Sequence, residues 1–207
     1  MTALLSTAYF PPIAYIATLI VHDKVFIEAK ETFPKQTYRN RTYIMTASGV
    51  RFLSVPVIRA NHSRTDEVKI DNTCRWQMTH LRTLDAAYAA SPFYQYYHDD
   101  IETLITKRYN YLIDLNQEIL FWLSKCLHIT TEIKLTSDWV VSPQYGTIDN
   151  RNSFSPKVVS SPQDMQSYYQ VFADRLPFAP NLGIIDLLAN VGPSSYSYLT
   201  AVEQALP

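Results

Sequence analysis

Three cations fall within seven residues in Lys35-Gln36-Thr37-Tyr38-Arg39-Asn40-Arg41, between two predicted strands. From Lys30 to Arg51 there are five basic residues and one acidic, a local excess of +4 in a chain of net charge −1. Arginine offers a planar fork of donors suited to carboxylate or phosphate oxygens, and lysine supplies a point charge. Lys35, Arg39 and Arg41 are thus candidates to hold an anion, with Asn40 to orient it. The competing reading is a solvated loop whose charges pair with acidic residues such as Asp99, Asp100 and Glu102. His80 shares a helical face with Trp76, Leu84 and Tyr88, so it is expected to be at least partly buried. There it would serve as a general base or oriented donor, or simply as a core histidine with a backbone partner. In Asn181 to Asn190, apolar residues cover most of a helix, while Gly183, Asp186 and Asn190 form a narrow polar stripe. A buried Asp186 would need a cation or several donors, for which Arg175 or an arginine of the basic cluster is the expected source.

Other chemistry finds no support. The phosphate-cradling G-x-G-x-x-G and G-x-x-x-x-G-K patterns and the G-x-S-x-G elbow are absent, and the four glycines are scattered. His22-Asp23 and His98-Asp99-Asp100 lack the spaced companions of a metal site, so no metal is expected, and the sequence leaves the cofactor unknown. Cys74 and Cys126 stand alone, which suggests neither zinc nor a disulfide framework. Near-balanced charge gives no general reason to bind nucleic acid. The N-terminus lacks a signal-peptide pattern, and the apolar run Ile13 to Val21 is too short to cross a bilayer, so a cytoplasmic protein is expected.

These groups need elements to position them. Leu4 to Phe10 reads as a strand, Pro11-Pro12 as a helix start, Ile13 to Ile20 as a helix, and Val25 to Ala29 as a second strand. That is a compact βαβ unit with parallel strands. Tyr43 to Ala47 and Val50 to Val57 flank Ser48-Gly49 as a hairpin, and Val68 to Ile70 is a short strand. Trp76 to Tyr88 is a helix. Ser91-Pro92 reads as the cap of a second, which buries Phe93, Tyr97, Ile101, Leu104 and Ile105, and Leu112 to Cys126 is a third. Glu132 to Leu135 is expected to return as a strand to the first sheet. Ser142 to Met165 is a polar loop without clear period, and Asn181 to Asn190 and Ser197 to Ala205 are closing helices. The expectation is one α/β domain over residues 1–207: a small mixed sheet begun by a βαβ unit, a β-hairpin, a helical block and C-terminal helices.

The order and spacing of several stretches carry a family resemblance. They are Tyr9-Phe10-Pro11-Pro12-Ile13-Ala14-Tyr15, Tyr38-Arg39-Asn40-Arg41-Thr42, Leu53-Ser54-Val55-Pro56-Val57, Trp76 with His80, Ala87-Tyr88-Ala89-Ala90-Ser91-Pro92-Phe93-Tyr94, Leu115-Asn116 and Asn181-Leu182-Gly183-Ile184-Ile185-Asp186-Leu187-Leu188. Together they resemble the WbqC-like family, which is associated with bacterial O-antigen and related polysaccharide clusters. The resemblance implies transfer of an acyl, aminoacyl or glycine group onto an anionic or nucleotide-linked sugar. His80 and Asp186 would be the catalytic pair, with Lys35, Arg39, Asn40, Arg41, Tyr88, Asn181 and Asn190 binding substrate. Many members carry His-Gln-Pro where this chain has Thr7-Ala8-Tyr9, which raises the alternative of a binding protein of envelope assembly that keeps the pocket without the chemistry. The expected partners are an anionic or sugar substrate, then a second copy of the chain or an envelope-pathway protein. Neither nucleic acid nor membrane insertion is expected.

Overall fold

The computed structural model describes residues 1–58, 62–156 and 165–204. Four strands form one parallel sheet: β1 (Thr2–Ser6), β2 (Lys24–Glu28), β7 (Glu132–Leu135) and β8 (Thr147–Asp149), in spatial order β7-β2-β1-β8. Helix α1 (Ile13–Ile20) links β1 to β2 as the expected βαβ unit. The hairpin β3 (Arg41–Thr46)/β4 (Gly49–Ser54) makes a sheet of its own, and β5 (Val57–Ile58) pairs with β6 (Lys69–Ile70). Helices α2 (Trp76–Tyr88), α3 (Tyr94–Thr106) and α4 (Leu112–Cys126) form the helical block, and α5 (Ile184–Val191) and α6 (Ser195–Gln204) close the described chain. Among the described residues no helix is long and apolar enough to cross a membrane.

The sheet has two unlike faces because side chains alternate along each strand. Ala3, Leu5, Val25 and Ile27 are fully buried in the main core with α1. Leu4 and Phe26, paired in register on the opposite face, face the segment that joins β7 to β8, and the Lys24 ammonium lies 5.0 Å from the Phe26 ring centroid. That segment runs from Thr136 to Gly146, so a single loop does the work usually left to helices on a parallel sheet.

Several sequence expectations need correction: the first strand ends at Ser6 and not at Phe10, and the hairpin's second strand ends at Ser54, Val57 pairing instead with Ile70 of β6. The Ser142–Met165 stretch contains β8, which a three-residue strand with one apolar side chain could not announce; its residues 157–164, like Ala205, lie outside the described residues. The second helix of the block begins at Tyr94, not after Ser91-Pro92, and no side chain caps it. Phe93 precedes that helix, and its amide donates to Ala189 O (2.9 Å).

The start of α1, strand β3 and the start of α5 are knotted together by backbone bonds. Ile13 N donates to Leu182 O (3.0 Å), Ile184 N to Pro11 O (2.8 Å) and Gly183 N to Tyr43 O (2.7 Å). Asn181 Oδ1 accepts from Ala14 N at 2.9 Å, supplying the cap that Pro12 cannot give α1. Thr42 Oγ1 donates to Phe10 O (2.8 Å) across this knot. Gly183 is required there by space: a Cβ would stand 2.0 Å from Thr42 Oγ1, 3.1 Å from Tyr43 O and 3.3 Å from Phe10 O. Gly183→Ala is therefore expected to cost about 2–3 kcal/mol by overpacking. Thr42→Ala should relieve part of that cost, so that denaturation of the double variant gives less than the sum of the singles.

Candidate functional site

The chain runs outward from β1 through β2 to β7 and then returns to the far side of β1 as β8. The sheet order therefore reverses between β1 and β8, and the carboxyl ends of these strands flank the position where open α/β sheets place ligands. A small crevice lies there, lined by Ser6, Thr7, Ala8, Tyr15, Tyr38, Arg39, Asn150, Arg151 and Phe154. Its free volume is about 10 Å³, near the lower limit for one water. Phe154 lines it and packs edge-on against Tyr15 at 5.4 Å between ring centroids.

Two buried arginines form its charged wall. Arg39 grips Glu31 with both arms of its fork, Nε to Oε1 at 2.8 Å and Nη2 to Oε2 at 2.7 Å, and also donates from Nη2 to Ser6 Oγ at 2.6 Å. Its Nη1 makes no hydrogen bond to the protein among the described residues. Arg151 holds Asp149 through Nε (2.9 Å) and Nη2 (2.6 Å), and its Nη1 donates to Val140 O (2.6 Å). The same Nη1 lies 3.5 Å from Glu28 Oε2. The hydrogen bond and charge of Arg151 hold the Asp149 carboxyl below the usual carboxylate range. Glu28 has no exposure, and its carboxylate also accepts from Thr136 Oγ1 (2.7 Å), Lys30 N (2.9 Å) and Val140 N (3.1 Å). Ser6 Oγ closes the circuit by donating to Arg151 O at 3.0 Å.

The residues singled out from sequence do not all meet here. Arg39 lines the crevice, paired with Glu31 and not with Asp99, Asp100 or Glu102. Lys35 is exposed and makes no ion pair among the described residues. Asn40 turns toward the hairpin, donating from Nδ2 to Val55 O (2.9 Å) and Ser54 Oγ (3.3 Å). Arg41 lies over the Phe52 ring at 4.6 Å. Tyr88 and Asp186 form a separate buried cluster, in which the Asp186 carboxylate accepts from Tyr88 OH (2.8 Å), Tyr168 OH (2.5 Å) and Gln170 Nε2 (2.9 Å). Among the described residues no arginine reaches Asp186; Arg175 is exposed and pairs with Asp174. Three neutral donors meet the need for which a cation was expected, while burial pushes the Asp186 carboxyl up against their opposing effect. Asn190 Nδ2 donates to Asp186 O (2.8 Å), and Asn181 caps α1.

His80 lies behind the crevice. Its Nδ1 is 2.9 Å from Tyr9 OH, and its ring stands edge-on to Trp76. Tyr9 N in turn donates to Tyr38 O (2.8 Å), so His80 reaches the crevice wall through one intermediary, Tyr9. Neither His80 nor Asp186 lines the crevice.

Ser6, Glu28, Glu31, Asp149 and Arg151 were not anticipated. One signal was available: Glu28 interrupts the apolar run Val25-Phe26-Ile27-Glu28-Ala29, and a charge inside a buried strand demands partners.

Burial lowers the His80 imidazole from its ordinary 6.5 to about 4. The fold therefore favours the neutral ring, and between pH 6.5 and 4 the unfolded chain binds more protons than the native one. Stability is then unaffected by this residue above pH 6.5 and falls as acid is added through that window, by about 3 kcal/mol in all. Denaturant unfolding at pH 7.5 and pH 4.5 should show this loss in the native chain, and His80→Gln should lack that component.

The chain was compared with known proteins. Residues 7–152 match the model of the WbqC-like protein family. An uncharacterized protein of Mycobacterium tuberculosis, Rv1507c, is 25% identical over 224 residues, covering 95% of this chain and 93% of the relative. No solved structure gives a significant match. The family match covers seven of the nine residues that line the crevice, from Thr7 to Arg151, and on its extent along the chain the protein belongs to the WbqC-like protein family.

Proposed function

We propose that the protein takes an anionic or nucleotide-linked sugar at the carboxyl ends of β1 and β8 and serves acyl or aminoacyl transfer in the assembly of bacterial surface polysaccharide. The observation that carries this reading is the pair of buried arginines lining one crevice at the switch point of a parallel sheet. Both guanidiniums are already neutralised by carboxylates, so bulk charge does not draw the ligand in. Recognition falls to Arg39 Nη1, still free for a phosphate or carboxylate oxygen, and to the hydroxyl of Tyr38. His80 and Asp186 act in this scheme as positioning residues: the first fixes Tyr9 beside the crevice wall, the second anchors the segment carrying Tyr168 and Gln170. The withdrawal of Phe154 from Tyr15 admits the substrate, and its return excludes water.

One observation favours a second reading, a binding protein without catalysis. Among the described residues no His, Asp, Glu, Lys or Cys lines the crevice, and Thr7 stands where many family members carry histidine, its hydroxyl bonded to Asn116 Nδ2 at 3.1 Å. Such a crevice holds a ligand without an evident group to move its proton.

Incubation with nucleotide-sugar pools and acyl or aminoacyl donors, read by mass spectrometry, separates the two. Transfer predicts a mass-shifted product. Arg39→Lys keeps the charge but cannot span Glu31 and Ser6 together, and should reduce turnover about a hundredfold while the circular dichroism stays native. Arg41→Ala, outside the crevice, should leave turnover near its original rate. Thermal stabilisation by a nucleotide sugar with no product would establish binding alone.

A further inference from the structure

The second face of the parallel sheet carries a groove distinct from the crevice. It encloses about 530 Å³, within the ~300–1,000 Å³ common for small-molecule sites. Its floor is Leu4 and Phe26, and its wall is the loop from Thr136 to Gln144. Trp139 stands on that wall, half-exposed, with the Arg151 guanidinium 4.7 Å from its ring centroid. One indole face is thus occupied by a buried and fully engaged cation, which holds the ring in place, and the remaining exposed surface is open to the groove.

The wall is rigid for a reason already described. Glu28, buried at the end of β2, accepts from Thr136 Oγ1 and from Val140 N, pinning the loop on both sides of Trp139. A flat aromatic surface held by its neighbours costs little further ordering when a ligand arrives.

The polar lining narrows the ligand class. Ser137, Asp138 and Gln144 sit around Trp139, and among the described residues Asp138 is the sole charged one that lines the groove; Lys24, 5.0 Å from the Phe26 ring centroid, is paired with Glu132. One carboxylate without a lining cation disfavours phosphates and carboxylates and suits a neutral molecule rich in hydroxyl donors. An indole face, electron-rich at its centre, suits a ring whose C–H bonds project to one side. A molecule with an apolar C–H face and a rim of hydroxyls is a pyranose sugar.

We propose that this groove binds an uncharged pyranose, stacked on Trp139 and hydrogen-bonded by Asp138 and Gln144. The inference rests on the groove alone and not on the transfer reaction; Arg151 joins the two places, lining the crevice and backing Trp139.

Saturation-transfer NMR with methyl β-glucopyranoside and with N-acetylglucosamine, and with gluconate as an acyclic anionic control, tests it without reading turnover. Transfer to the ring protons of a pyranoside, saturable and absent for gluconate, is expected. Trp139→Leu should weaken binding about tenfold or more. Asp138→Ala, a change at an exposed loop residue that leaves the core untouched, should also weaken it, and this serves if Trp139→Leu fails to fold. The tryptophan emission of the native chain gives a second signal, since Trp76 and Trp122 are buried and Trp139 is not. Absence of transfer to both pyranosides, equal transfer to gluconate, or binding unchanged in a folded Trp139→Leu or in Asp138→Ala would overturn the proposal. Pyranoside binding without product would leave it standing and count against transfer.

Discussion

A carboxylate with no access to water sits at the end of β2, and the ends of the parallel sheet are arranged around it. An isolated ionised carboxylate in such a place is untenable, so every lone pair must find a donor. Glu28 recruits Thr136 just past β7, Val140 from the loop that follows, the backbone of Lys30 just past its own strand, and Arg151 just past β8. Arg151 hands the connection on through its own carbonyl to Ser6 at the end of β1, and Ser6 receives Arg39. One buried charge thus brings the exits of all four strands into a single hydrogen-bonded set. The crevice and the groove are the two sides of that set, and neither would keep its shape if the carboxylate lost its partners.

The tyrosine-rich composition finds its explanation inside the protein. Tyr9, Tyr15, Tyr88, Tyr94 and Tyr109 are all buried, and each puts its hydroxyl on a specific acceptor: His80, Ser6 O, Asp186, Asp85 and Glu118. A tyrosine fills core volume like phenylalanine and still delivers one donor at its tip. This lets the core accept polar groups such as Asp186 without a counter-ion, and the hydroxyls of Tyr9, Tyr15 and Tyr88 rise in pKa because burial disfavours their ionised form.

What could be read beforehand follows from which forces leave a periodic trace. The four-residue spacing of Trp76, His80, Leu84 and Tyr88 located α2, and all four are buried. Alternation with a Ser-Gly turn located the hairpin, and a short proline-started helix between two apolar runs located the βαβ unit. The sheet's fourth strand left no such trace: β8 has three residues, its Ile148 is exposed, and it is held in place by Asn150 N donating to Leu4 O as much as by its own pattern. The site was legible only in part. Arg39 stood out as one of a run of cations, but its partner Glu31, the single acid within that same run, was counted as background charge. Arg151 and Asp149 lay in a stretch without period, where nothing marks a residue as buried. Pairings made through tertiary contact have no spacing rule, so the chemistry of the strand ends had to await the fold.

Phe154 against Tyr15 sets a kinetic condition on whatever uses the crevice. With free volume for no more than a water, the crevice as it stands admits no larger guest, so a ligand using it would meet only the fraction of molecules in which the phenyl ring had swung away. The apparent dissociation constant of such a ligand would be the intrinsic one divided by that fraction. Association would saturate at the opening rate as ligand concentration rises, rather than climb toward the diffusion limit. A smaller side chain at position 154 would raise the open population and hasten both arrival and departure, and residence time would shorten accordingly.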